Sequence, residues 1–191
     1  EACGGSHYWA RTFQAMGHTV KMMAPQFVKP YVKSNKNDPN DAGGINEAVT
    51  RPSMRFVPIK QIEQQDILLI HRCRELLMKQ KTALSNQIRG LLAEYGIVIP
   101  QGMNQIKILP ETLDINKDKL TTRATSIFTR LHEQFKTVEE QITDYDKDIE
   151  QHAHEDAQCI EIQKLKGIGP ITASAIVATI GAVSYTHLTL P

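Results

Sequence analysis

Apolar positions step along this chain in two rhythms, and the change between them divides it. In residues 6–16, Tyr8, Trp9, Thr12, Phe13 and Met16 recur at helical spacing, with Gly17 placed to end the helix. Residues 18–24 are short, partly β-branched and stopped by Pro25, which predicts a buried strand. Pro25 can open a helix, and Phe27, Val28, Tyr31 and Val32 then share one face. A polar stretch, 35–41, leads into a helix over about 41–50, and 51–58, with two prolines, reads as an extended connector. Strand, helix, strand and helix in quick succession predict part of an α/β sheet. Trp9, Phe13 and the methionines are expected in its core.

Beyond residue 60 the pattern becomes long and helical. Leu69, Cys73, Leu76, Leu84, Ile88, Leu91 and Tyr95 advance in three- and four-residue steps apart from one longer gap. Residues 96–110, with Pro100, Gly102 and Pro110, read as a loop that reverses the chain. Leu120, Ala124, Ile127, Leu131, Phe135, Val138, Ile142, Tyr145, Ile149 and His152 then form a seam longer than four heptads. Two such helices predict an antiparallel coiled-coil hairpin that also pairs with a second copy. A third unit starts near Gln163, where a glycine turn precedes a helix of small residues. The expected domains are 1–58, 59–162 and 163–183. Residues 184–191 abandon the helical pattern and read as a foreign or truncated tail, and the chain is expected to be a fragment cut at both ends.

Composition narrows the classes. The 191 residues hold 22 Lys+Arg against 21 Asp+Glu, a net charge of +1, with 41% hydrophobic residues. That supports packed cores and excludes a polybasic tail protein. Three cysteines far apart exclude a disulfide scaffold and point to a reducing compartment. No apolar run reaches the 18 or so residues of a membrane span, so a soluble cytosolic protein is expected. The average conceals a split: 14 basic against 8 acidic residues in 1–107, and 8 against 13 thereafter. Such a split fits a polyanion-binding first half and a solvated second half.

Candidate chemistry centres on Asp38-Pro39-Asn40-Asp41. Residues three apart share a helix face, so both carboxylates can aim at one point. Carboxylate oxygens suit Mg²⁺, and two such ions about 3.5–4 Å apart can serve phosphoryl transfer. The same residues would serve equally as helix punctuation, with Asp38 as N-cap, Pro39 at the first position and Asp41 against the dipole. Glu1 is a third carboxylate, at a strand end before two glycines. Lys29, Lys33 and Lys36 lie near the acid pair, where a phosphate backbone would pass. Arg72, Arg74, Lys79, Lys81 and Arg89 populate the first long helix without forming one stripe. Gly167-Ile-Gly-Pro170 has the form of a helix-hairpin-helix turn, in which Gly167 and Gly169 let backbone N–H groups approach a phosphate, and it reads equally as a tight turn packed in the core. His152 and His154 do not share a helix face and are read as solvated.

Several segments, in order, resemble one family. These are 1–11 (EACGGSHYWAR), 24–33 (APQFVKPYVK), 35–42 (NKNDPNDA), 51–58 (RPSMRFVP), 87–96 (QIRGLLAEYG) and 167–173 (GIGPITA). The chain is similar in them, and over essentially residues 1–183, to the DEDD-motif transposases of the insertion-sequence "one-ten" family. The resemblance implies a partial ribonuclease-H-like (RuvC-like) domain, the coiled-coil hairpin and the start of a C-terminal transposase domain. It implies Mg²⁺ held by an acid tetrad, in which Glu1, Asp38 and Asp41 match the glutamate and the last two aspartates. The first aspartate would lie upstream. The family's serine nucleophile would fall beyond about residue 183, and neither Ser174 nor Ser184 matches it. DNA and an element-encoded guide RNA are the implied partners, with cleavage and exchange of DNA strands as the implied activity. The fragment alone is expected to be inactive. Gly43 and Gly44 depart from the family pattern and cost roughly 1 kcal/mol each in a helix interior, so that helix is expected to be loosened. A non-catalytic nucleic-acid-binding or dimerising protein, and a junction-resolving nuclease, remain open readings.

Overall fold

A computed structural model describes residues 2–32 and 37–180. The described residues fall into two compact units, one of residues 2–65 with Thr179 and Ile180, the other of Asp66–Ala178. Glu1, Lys33, Lys36 and residues 184–191 lie outside the described residues.

The first unit opens with α1 (Ser6–Ala15), entered through Gly5, whose φ of 76° is left-handed backbone that a side chain would resist. Strand β1 (Met22–Met23) is much shorter than the 18–24 segment predicted for it. After α2 (Pro25–Val28) comes a 3-10 turn (Lys29–Tyr31), then α3 (Asp38–Val49). The connector contributes β2 (Phe56–Val57), which pairs antiparallel with β1, Met22 opposite Val57 and Met23 opposite Phe56. The Ala2 N–H donates to the Met23 carbonyl at 2.8 Å, so the opening residues run beside β1. Met23, Val28 and Ala48 form the buried centre, flanked by Tyr31, Val32, Ile45, Val49 and Met54. The α1 helix is held mainly by polar contacts: Arg11 donates to the Lys60 carbonyl at 2.6 Å, and the Lys60 N–H to His7 Nδ1 at 3.1 Å.

Two expectations for this unit are corrected. Trp9, Phe13 and Met16 are exposed, because α1 buries little more than Ala10 and lays its aromatic row outside the core. Gly44 does not loosen α3. It is buried where the helix meets the Val32 backbone, and a Cβ there would come within 3.2 Å of Val32 N and Cα.

The second unit is built on two long helices, α4 (Ile62–Ala93) and α6 (Thr122–Glu155). Their contacts run in opposite directions: Arg74 pairs with Asp146, Lys81 with Glu139, and Tyr95 packs edge-on against Phe128. The hairpin is therefore antiparallel. Gly96, at φ 67°, ends α4, and the Ile97 N–H returns to the Leu92 carbonyl at 3.1 Å. The reversing segment contains more than the expected loop, namely a 3-10 turn (Met103–Ile108) and α5 (Leu109–Ile115), with Pro110 tolerated in the first helical turn. Thr121 caps α6 by accepting from the Ala124 N–H at 3.1 Å.

The core between the helices contains Leu84, Ile88 and Leu92 from α4, Phe128, Phe135, Val138 and Ile142 from α6, and Ile106, Leu109 and Leu113 from the reversal. Most of the predicted α6 seam is buried. On α4 the buried line is Leu84, Ile88 and Leu92, with Leu77 half-buried beside it, and Leu69, Leu76, Leu91 and Tyr95 of the predicted seam are exposed. The unit continues through α7 (Ala157–Gln163), capped by Asp156 on the Cys159 N–H, to α8 (Pro170–Ile180). Ala153, Cys159 and Ala173 form a small core there, with Ile162, Ile168 and Val177 against it. No helix of the described residues is long and apolar enough to cross a membrane.

Candidate metal and nucleic-acid site

The acid pair occupies the first turn of α3. Asn37, not Asp38, is the N-cap: its side chain accepts from the Asn40 N–H at 2.9 Å. Asn37 has the extended backbone and short carboxamide that a cap needs, and it pushes Asp38 and Pro39 into the first helical turn. Capping is thus done without either aspartate. Asp38 is exposed and Asp41 half-buried, three residues apart on one face, and neither forms an ion pair among the described residues. Both also complement the positive end of the helix dipole. Their oxygens suit a hard divalent cation, and as the two carboxylates of this turn they would be its protein ligands here. No group of three His, Cys, Asp or Glu side chains that could hold a metal is found among the described residues. The third expected ligand, Glu1, lies outside them.

Of the three lysines expected beside the pair, Lys29 lies exposed on the 3-10 turn after α2, and Lys33 and Lys36 fall outside the described residues. Arg72 is exposed on α4 and makes no ion pair among the described residues. Arg89 serves the fold, since its guanidinium donates to the Pro100 carbonyl at 3.3 Å, the Gly102 carbonyl at 2.5 Å and Ser85 Oγ at 2.6 Å. A guanidinium committed to a loop in this way pins the chain reversal and has fewer donors left for phosphate. Arg74, Lys79 and Lys81 are likewise paired with Asp146, Glu75 and Glu139.

The glycine turn before α8 is open on its glycine side. Gly167 takes a φ of 93°, and neither Gly167 nor Gly169 has a neighbour within 4 Å of where a Cβ would stand. Ile168 between them is drawn toward the Ala153–Cys159–Ala173 core, which holds the turn while its glycines face outward. The Ala173 N–H bonds to the Gly169 carbonyl at 2.9 Å, so the first amide donors of α8 precede it at the helix mouth. The acid pair belongs to the first unit and this turn to the second.

One polar contact was not legible in the sequence. His71 Nε2 lies 3.1 Å from Ser174 Oγ, joining α4 to α8 within the second unit. Ser174 is fully buried, which gives its hydroxyl a tethering role. Burial pushes the His71 pKa down, and the nearby Arg74 and His152 add to this. Residues 103 positions apart carry no local pattern that would announce them.

A family model described as a transposase, of the DEDD IS110 type, matches residues 1–97. A protein of Pseudomonas aeruginosa named "Probable family 20 transposase" is 43% identical over 183 residues, 95% of this chain and 54% of its own length. The transposase for insertion sequence element IS1111A of Coxiella burnetii is 42% identical over 98% of this chain and 52% of its own. That for IS1328 of Yersinia enterocolitica is 38% identical over 95% of this chain and 54% of its own. The chain thus spans about half the length of these relatives. No solved structure matches it. With its family model covering the acid pair and the whole first helix of the long hairpin, the chain belongs to the IS110 family of transposases.

Proposed function

We propose that this chain is the part of a DNA transposase that holds divalent metal and binds DNA, within a protein that cuts and exchanges strands under the direction of a guide RNA. The observation that carries the reading is the freedom of Asp38 and Asp41. They stand on one helix face with the cap supplied by Asn37 and no ion pair among the described residues neutralising them. Two carboxylates three residues apart, without an ion pair among the described residues, suit Mg²⁺ and repel each other otherwise. Bound Mg²⁺ would neutralise charge on the phosphate undergoing transfer. Asp38 and Asp41 would hold and orient it, with Glu1 as a third ligand in a RuvC-like arrangement of residues 1–58.

The remaining parts have separate roles. Exposed Lys29 on the same unit offers a phosphate-backbone contact, as would Lys33 and Lys36. In the second unit, the Gly167–Gly169 turn presents amide donors suited to a second phosphate, and exposed Arg72 adds charge on α4. Neither contact reads sequence, which is left to base pairing with the guide RNA. The helical hairpin serves assembly with a second copy, as a coiled coil. The attacking hydroxyl is assigned to no residue of this chain.

The test is strand cleavage by a protein of the relatives' full length, with Mg²⁺, guide RNA and target DNA. Asp38→Asn and Asp41→Asn should each lower cleavage by about 100-fold or more while leaving DNA binding intact. Cleavage at the unmodified rate in both variants would return the pair to a purely helical role.

A further inference from the structure

The α4–α6 hairpin carries a second apolar line on its outside. Leu69 and Leu76 of α4 are 59% and 56% exposed, and with Cys73 they follow the four- and three-residue steps of a helical seam. The line borders a groove of about 400 Å³ lined by Cys73, Leu76, Leu77, Gln141, Asp144, Tyr145 and Asp148. Cys73 from α4 and Tyr145 from α6 both line its floor, with Cys73 between Leu69 and Leu76 along the helix. Large exposed leucines at seam spacing mark a surface that something covers.

The two edges of the groove differ in charge. On the α4 side, helical spacing puts Arg72 and Lys79 along the outer edge, both exposed. On the α6 side the edge is Asp144 and Asp148, also exposed. Glu75 and Lys147 lie one step further out, where they pair with Lys79 at 2.6 Å and Asp144 at 3.1 Å. Arg72 and Asp148 make no ion pair among the described residues.

We infer that this groove seats the same groove of a second copy of the chain, with the two-fold axis running along the length of the hairpin. An isologous contact sets each patch against itself. An axis along the helices lays the basic α4 edge of one copy on the acidic α6 edge of the other, at the same height. An axis across the helices would set basic on basic and acidic on acidic, which is repulsive. Charge thus selects the orientation, and the apolar floor supplies the burial. Leu69 and Leu76 of each copy cover Tyr145 of the other, the two Cys73 side chains meet near the axis, and the two hairpins become a four-helix bundle. The inference rests on the reading of the hairpin as an assembly element and names the face that does it.

The test uses the 191-residue chain in light scattering coupled to size exclusion, with circular dichroism to verify helicity. The chain should form a dimer whose dissociation constant rises about 100-fold or more in Leu76→Asp, a loss commensurate with removing two buried leucines, one from each copy. Arg72→Glu and Asp148→Lys should each weaken the dimer, and the double variant should restore it. In a Cys3→Ser background, a short thiol cross-linker should trap a Cys73–Cys73 dimer. A chain that remains monomeric throughout the accessible concentration range would overturn both this inference and the assembly reading. A dimer unmoved by Leu76→Asp, or one weakened by both charge reversals but not rescued by their combination, would overturn the groove and leave assembly by another face standing.

Discussion

Gly43 and Gly44 are adjacent in one helix, and alanine at each should have opposite effects. At Gly43 a Cβ meets nothing within 4 Å, so Gly43→Ala adds helix propensity alone, worth about 1 kcal/mol. At Gly44 the same Cβ would lie 2.8 Å from Val32 Cγ2 and 3.2 Å from Val32 N and Cα. Valine is stiff at χ1, and two of the three atoms are backbone, so the contact is relieved only by moving α3 off the Val32 segment. Overpacking of this kind costs about 1–3 kcal/mol, which cancels or exceeds the propensity gain. Gly43→Ala should therefore stabilise the first unit by about 0.5–1 kcal/mol, and Gly44→Ala should be neutral to about 2 kcal/mol destabilising. Trp9 is the single tryptophan and belongs to this unit, so its fluorescence in a urea titration reports the unit directly. For a domain of that size, a separation of about 1 kcal/mol or more corresponds to at least ~4 °C in melting temperature. Equal stabilisation by the two alanines would refute the close-packing role of Gly44. The point bears on function because Asp38 and Asp41 stand on the same helix, and a displaced α3 carries them with it.

Three further outcomes are expected. Acid should loosen the hairpin unit: burial lowers the pKa of both His71 and His132, and His132 Nε2 has no hydrogen-bond partner among the described residues. A histidine held below its unfolded value takes up its proton more readily when unfolded, so stability falls as pH drops below about 6.5 and is fully present above it. Urea midpoints should therefore decline between about pH 6.5 and 5 and decline less steeply in His132→Gln, where His71 remains, and a pH-independent midpoint in the unmodified chain would contradict this. Phe135→Ala should destabilise the same unit by about 3–5 kcal/mol, since the ring is fully buried in its core and lies 5.5 Å from the Lys81 ammonium, and a loss below about 1 kcal/mol would contradict the packing described. Cys159 should resist alkylation until the chain unfolds, because burial and Asp156 push its thiol up to about 12, whereas exposed Cys3 should react at once. Mass spectrometry of a timed iodoacetamide reaction separates the two, and equal rates would contradict the buried placement.

What the sequence disclosed follows from how far each signal reaches. The long helices were legible because burial on one face repeats locally, and Phe135, Val138, Ile142 and Ile149 are buried as their spacing demands. On α4 the stepping misled by one position. Leu76 and Leu77, and Leu91 and Leu92, are adjacent leucines, and a 3/4 pattern threads either member of each pair equally well. Packing against α6 and the chain reversal selected Leu77 and Leu92, leaving Leu69 and Leu76 outside. The α5 helix was obscured by Pro110, which the first helical turn accepts. At the acid pair the pattern set the helix at about 41–50 and the capping reading put its cap at Asp38, whereas α3 begins at Asp38 with Asn37 as cap, and that matters because Asn37 releases Asp38. The Arg89 contacts with Pro100 and Gly102 and the His71–Ser174 pair depend on how the helices pack, which no local pattern encodes.

The central claim is that Asp38 and Asp41 together grip a divalent ion. Nuclear magnetic resonance on the ¹⁵N-labelled chain, titrated with Mn²⁺ and competed with Mg²⁺, tests it without any DNA chemistry. The account predicts that amides at the start of α3 broaden first, recover as Mg²⁺ displaces Mn²⁺, and stay sharp in the Asp38→Asn/Asp41→Asn variant. Broadening that begins elsewhere, or that persists at α3 in the doubly substituted chain, would contradict it.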